Sequence, residues 1–301
     1  MTALDVALPD RAHHGEGPVW DGRTGRLLWV DITAGLVHAW DPVTSQRERI
    51  DLGRDVGCVA PLAAGGVIAG VRDGIVALDE RGREHPIVAP LAQDPNVRMN
   101  DGACDPDGRF WTGSMAYDMR PGGGALYRLD HDGRLATVLR DVTISNGLAW
   151  SPDGRHCYYI DSATGGVDRF EYRADDGSLA GRTRIVDVPS AAGDPDGLTV
   201  DAEGCLWVAL WDGGQVRRYD PAGRLLTTLE LPVARVTSCA FGGADLGSLY
   251  ITTSRFGLTA AQLAEQPLAG ALFVADPGVR GLVSPPCTYG VPWGGPGGRL
   301  R

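Results

Sequence analysis

A phrase that returns six times constrains this chain more than any other feature. An apolar stretch runs into a Gly/Asp turn, and the turn into an aromatic or aliphatic strand. It reads Gly25-Arg-Leu-Leu-Trp-Val-Asp31, Gly65-Gly-Val-Ile-Ala-Gly70 and Asp107-Gly-Arg-Phe-Trp-Thr112. It returns as Asp153-Gly-Arg-His-Cys-Tyr-Tyr-Ile-Asp161, Glu203-Gly-Cys-Leu-Trp-Val-Ala209 and Gly247-Ser-Leu-Tyr-Ile-Thr252. The anchors Trp29, Ile68, Trp111, Tyr159, Trp207 and Tyr250 stand 39, 43, 48, 48 and 43 residues apart. A second strand follows each anchor, as in Val37-His-Ala-Trp-Asp41 and Val216-Arg-Arg-Tyr-Asp220. A unit of about 40–50 residues has room for four short strands and stacks radially with its neighbours. The expected fold is therefore all-β: a six-bladed β-propeller, four antiparallel strands per blade around a central channel. A sandwich or barrel is the alternative, and neither predicts so regular a repeat. Helical periodicity is confined to Thr259–Gln266. No linker divides the chain, so 1–301 reads as one domain closed by its N- and C-terminal segments. Its 43 Gly and 20 Pro, spread throughout, supply the turns.

The repeat also locates a candidate site. The turns begin at Asp21, Pro61, Asp105, Ser151, Asp201 and Gly243. Five residues before them stand Glu16, Val56, Asn100, Asn146, Asp196 and Ser238, equivalent positions that should cluster at one channel mouth. Asn-Gly and Asp-Gly alone are ordinary turn sequences; their equivalence singles them out. Polar groups at the entrance to apolar strands are costly unless satisfied. Converging oxygen donors suit one hard divalent cation, with Ca²⁺, Mg²⁺, Mn²⁺ and Zn²⁺ all admissible. Arg98 lies two residues before Asn100, on the same side of an extended strand. His13-His14, with no third His at ligand spacing, read as plain polar residues. The Trp and Tyr anchors read as core.

Composition excludes several chemistries. All 28 basic residues are Arg, and the chain has no Lys. Schiff-base and pyridoxal-phosphate catalysis, which need an amine nucleophile, are excluded, as is a P-loop. A net charge of −10 argues against nucleic acid and anionic membrane surfaces, and no apolar run approaches a membrane span. The six cysteines, Cys58, Cys104, Cys157, Cys205, Cys239 and Cys287, form no CxxC pair. They read as buried thiols in a reducing cytosol. The first 14 residues have neither a basic nor an apolar signal region. The expectation is a cytoplasmic protein acting on a small molecule.

Several phrases resemble the regucalcin/gluconolactonase/luciferin-regenerating-enzyme-like family of six-bladed propellers. They include Gly15-Glu-Gly-Pro-Val-Trp20, Arg98-Met-Asn-Asp-Gly102, Gly113-Ser-Met115, Ile144-Ser-Asn-Gly-Leu148 and Pro195-Asp-Gly-Leu198. The match is collinear from about residue 14 to 290. The resemblance implies a divalent metal held by Glu16, Asn146 and Asp196. It implies substrate contacts from Arg98, Asn100 and, by spacing, Asp118, where many relatives carry the longer Glu. The expected activity is opening of an aldonolactone to the sugar acid, with Asp196 as metal ligand and general base. The alternatives are an organophosphate or aryl-ester hydrolase on the same scaffold, and a non-catalytic calcium-binding propeller.

Overall fold

The inner strands are buried over nearly their whole length because they are covered on both sides. Val56–Pro61 and Val236–Gly242 are buried at every position, whereas the outer strand Arg47–Asp51 is largely exposed. That gradient fixes which strand faces the axis. A computed structural model describes residues 4–291 and 293. Residues 1–3, 292 and 294–301, which the expected 1–301 domain includes, lie outside the described residues.

The repeat resolves into six four-stranded antiparallel sheets. Blade 1 comprises Gly15–Asp21, Arg26–Asp31, Leu36–Trp40 and Arg47–Asp51. Blade 2 is Val56–Pro61, Val67–Val71, Gly74–Leu78 and Glu84–Val88; blade 3 is Val97–Cys104, Phe110–Ala116, Gly124–Leu129 and Leu135–Val142. Blade 4 is Ser145–Trp150, His156–Asp161, Gly166–Arg173 and Ser178–Asp187; blade 5 is Asp194–Val200, Leu206–Trp211, Gln215–Tyr219 and Leu225–Glu230. In blade 6, Val236–Gly242, Ser248–Thr253 and Leu272–Ala275 are completed by the N-terminal strand Leu4–Leu8, which pairs with Leu272–Ala275. The expected short helix is Ala260–Glu265, capped by Thr259 and Gln262.

The core fills the gaps between blades. Trp111, Trp150, Tyr159 and Tyr172 pack between blades 3 and 4, and Trp207, Phe241, Ile251 and Phe273 between blades 5 and 6. The repeated phrase has a local cause. The carboxylate of Asp105 accepts the backbone N–H of Asp107 and Arg109, the Trp111 indole N–H at 3.0 Å and the Tyr172 hydroxyl at 2.8 Å. Asp201 does the same for Glu203, Cys205 and Trp207, whose indole donates at 2.9 Å. In blades 3 and 5 the turn Asp and the anchor Trp are thus one hydrogen-bonded unit, which sets the same six-residue spacing in both.

Asp105 is fully buried. Asp105→Ala would leave several buried donors without an acceptor and Arg109 short of a partner, a loss of about 3–5 kcal/mol. Urea denaturation is the check. The partly exposed Asp107→Ala should cost well under half as much, and equal costs would contradict this account.

A C-terminal strap crosses the turn-side mouth of the channel. Ala202 N–H donates to Arg280 O and Gly281 N–H to Leu246 O; further on, Cys287 N–H donates to Pro61 O and Thr288 N–H to Gly108 O. Leu282–Pro285 span the opening between these anchors and close a cavity of about 320 Å³ lined by the inner strands. The opposite mouth carries the candidate site.

Candidate active site

Each inner strand begins with an irregularity, and this places the polar residues. In blades 3, 4 and 5 the pairs Asn100-Asp101, Asn146-Gly147 and Asp196-Gly197 are inserted against a single partner residue. Such bulges turn side chains out of the pleat. In blade 1 the inserted pair is Gly17-Pro18, so Glu16 lies one residue ahead, opposite Val30. In blades 2 and 6 the inserted residues are Gly57 and Thr237, so the five-residue count there is displaced by one. The bulge glycines let neighbouring strands touch. A Cβ on Gly57 would lie 2.4 Å from Asn100 O, and one on Gly147 would lie 2.8 Å from Asp196 O.

Five of the six sequence-derived residues, Glu16, Arg98, Asn100, Asn146 and Asp196, are buried at this mouth. A polar chain ties them together. Arg98 Nη1 donates to Asn100 Oδ1 at 2.6 Å, and Asn100 Nδ2 donates to Asn146 Oδ1 at 2.9 Å and to Ser145 O at 2.7 Å. Asn146 Nδ2 donates to Ser162 Oγ, which donates to Pro195 O, one residue before Asp196. This chain fixes which way both amides face. Glu16 Oε2 accepts the Gly17 N–H at 2.7 Å, and the Glu16 and Asp196 carboxyls lie close enough to perturb each other.

Asp118 stands apart. Its carboxylate accepts from the backbone N–H and the guanidinium of Arg120, and its side chain is 64% exposed. Its spacing after Gly113-Ser-Met115, through the family resemblance, gave its position in the chain, and Arg120 sets its direction.

The electrostatics also bring in residues that the sequence reading passed over. Asp101, half-buried along the channel wall, was hidden inside an Asp-Gly turn phrase. Burial pushes its carboxyl up to about 6. Burial, with Asp101 next, pushes Glu16 up to about 8. Asp196 is raised by burial and then by Glu16 and Asp101. Arg98 is the buried cation of this cluster, with its pKa lowered by burial. On the blade 2 and 3 side, the Tyr117 hydroxyl donates to Asp55 at 2.7 Å, and burial and that carboxylate push it up to about 12. On the opposite side, burial and Arg98 hold His14 down at about 3.

The carboxyls of Glu16, Asp101 and Asp196 are all raised because ionising them in this desolvated site is costly, a cost that a bound cation would offset alongside Arg98. Two carboxylates and an oriented amide oxygen are the donor chemistry that a hard divalent cation takes. Among the described residues no three His, Cys, Asp or Glu side chains converge as a metal-holding group. Glu16 and Asp196, with the Asn146 amide oxygen, are the residues at this mouth that could hold such an ion.

Known proteins resemble this chain over nearly its whole length. The SMP-30/Gluconolactonase/LRE-like region matches residues 14–255. Regucalcin of Danio rerio is 41% identical over 290 residues, covering 95% of this chain and 98% of its own. The crystal structure of a calcium-binding protein, regucalcin, from Agrobacterium tumefaciens superposes with a TM-score of 0.90 at 27% identity, covering 95% and 97% of the two chains. A gluconolactonase from Xanthomonas campestris gives a TM-score of 0.74 at 26% identity, with 91% and 89% covered. On family match, identity and fold together, the chain belongs to the SMP-30/gluconolactonase/LRE-like family.

Proposed function

We propose that this protein is a divalent-metal-dependent lactonase that hydrolyses a sugar-acid lactone to the aldonic acid. The observation that carries the reading is the buried hydrogen-bond chain from Arg98 through Asn100 to Asn146, at the mouth where Glu16 and Asp196 are also buried. A bare calcium binder has no use for Arg98 at the same mouth. A bound cation would supply Lewis-acid stabilisation of the oxyanion that develops on the lactone carbonyl oxygen.

The remaining steps belong to the chain's own groups. Asp196 takes a proton from water as the water oxygen adds to the carbonyl carbon. The ring C–O bond then breaks, and the same carboxyl returns the proton to the departing alkoxide. Arg98 donates to substrate oxygens from a guanidinium oriented by Asn100. Asn100 spends both amide hydrogens on Ser145 and Asn146, so it meets the substrate through its oxygen or through Arg98. Asp118, at the exposed rim, would reach only a substrate substituent that projects from the mouth.

Proton release from a panel of sugar lactones, with and without chelator, tests this reading. Turnover should fall at least 100-fold on chelation and return with a divalent cation. Tight calcium binding with no lactone turned over would favour a calcium-binding role, to which the regucalcin names of the relatives point. Faster turnover of a phosphotriester or aryl ester would favour the other hydrolase. We also place the protein in the cytoplasm, because its six cysteines stand unpaired, as in a reducing compartment. No helix among the described residues is long and apolar enough to cross a membrane.

A further inference from the structure

We propose that His14 is a substrate-binding residue of this mouth, exchanging a hydrogen bond between a ring nitrogen and a hydroxyl of the bound sugar. The proposal rests on the lactonase reading only for the class of ligand. His14 lies two residues before Glu16 on blade 1. The ladder continues through it: Ile32 N–H donates to His14 O at 2.9 Å, and Asp31 accepts the backbone N–H groups of His13 and His14. In extended backbone the two side chains share one face, so the imidazole stands above Glu16 on the channel side.

The ring is held by packing alone. It stacks on Phe256 at 5.1 Å and meets Trp211 at a tilt at 5.5 Å, and the Arg235 guanidinium covers Trp211 at 4.7 Å. Blades 1, 5 and 6 therefore fix its orientation together. Neither ring nitrogen hydrogen-bonds to a described residue, and Nδ1 is buried without a partner. The exposed His13 and His131 pair with Thr33 and Thr288, whereas His14 Nδ1, like His85 Nε2 elsewhere, is buried without a partner, and of these two His14 stands at the site. A buried polar atom without a partner calls for a ligand or water. A hydroxyl both donates and accepts, and so suits either tautomer. The Arg98 and Arg235 guanidinium groups lie within electrostatic reach, which favours a neutral polyol or an anion over a cationic ligand.

The test is titration of the calcium-loaded protein with D-gluconate, alongside lactone kinetics. His14→Phe keeps the stacking and removes the polar atoms; His14→Asn restores a donor and an acceptor. His14→Phe should weaken gluconate binding about 10-fold or more and raise KM by a similar factor, with kcat within about 3-fold. His14→Asn should recover part of the loss. Among singly deoxygenated gluconates, one should bind wild type and His14→Phe equally well. Unchanged gluconate binding by His14→Phe, or an equal loss with every deoxy compound, would overturn the contact. So would a wild type that does not bind gluconate. If wild type binds gluconate and His14→Phe does not, but no lactone is hydrolysed, the contact stands and the enzymatic reading fails. Should His14→Phe not fold, His14→Leu carries the same comparison.

Discussion

Replacing Asp196 by Asn is expected to lower kcat on the best lactone by about 10³-fold or more without unfolding the protein. The substitution keeps the volume and the polar character of the bulge. It removes the group that accepts the proton from water, and a positioned base contributes about 10²–10⁴. It also removes one of two carboxylates from the ligand set, so cation affinity should fall. Stability should move the other way. Burial and the neighbouring Glu16 and Asp101 make the Asp196 carboxylate costly in the absence of a cation, and a neutral amide does not carry that cost. The metal-free variant should therefore melt at or above the temperature of metal-free wild type. A functional group that destabilises its own fold is typical of a site shaped for a ligand. Thermal melts and single-turnover kinetics on the same preparation provide the measurement. A kcat within 10-fold of wild type would remove Asp196 from the mechanism.

The fold was legible because its signal is local and repeated. One hydrogen bond from a turn carboxylate to an indole six residues on, as in Asp105–Trp111 and Asp201–Trp207, writes the same spacing into the chain more than once. The site was legible only as far as that register held. Asn100, Asn146 and Asp196 share one bulge position, whereas Glu16 sits a residue ahead of its own. A bulge breaks the alternation of side chains, which is why Asp101 read as a turn residue although its carboxyl faces the channel. His14 was discarded for want of a third histidine, a test for a metal ligand that does not apply to a sugar contact. Asp118 was placed by spacing, which says nothing about Arg120 drawing its carboxylate outward. The strap over Leu282–Pro285 has no periodic pattern, and its anchors are backbone groups on distant blades.

The largest effect on stability should come from pH and cation acting together. Glu16 titrates at about 8 in the folded chain against an ordinary value of 4.5, raised first by burial and then by Asp101. A raised carboxyl holds its proton in the folded state after the unfolded chain has released it. Its contribution is complete below the unfolded pKa and is lost as pH rises toward the folded one. His14 acts oppositely at lower pH, since its folded value near 3 costs stability whenever the unfolded imidazole can protonate, below about 6.5. The two are separated by working between pH 6.5 and 8.5. There the metal-free protein should lose on the order of 2 kcal/mol, about 3–5 °C in Tm, as Glu16 is driven to ionise. A divalent cation competes with those protons. Its stabilisation should be small at pH 6.5 and several degrees larger at pH 8.5. Glu16→Gln should flatten the metal-free profile and blunt the cation response together. Melting curves at a few pH values, with chelator and with millimolar calcium, decide it. A metal-free Tm that holds constant or rises over this window, with a cation response independent of pH, would show that these carboxyls do not form the cation site.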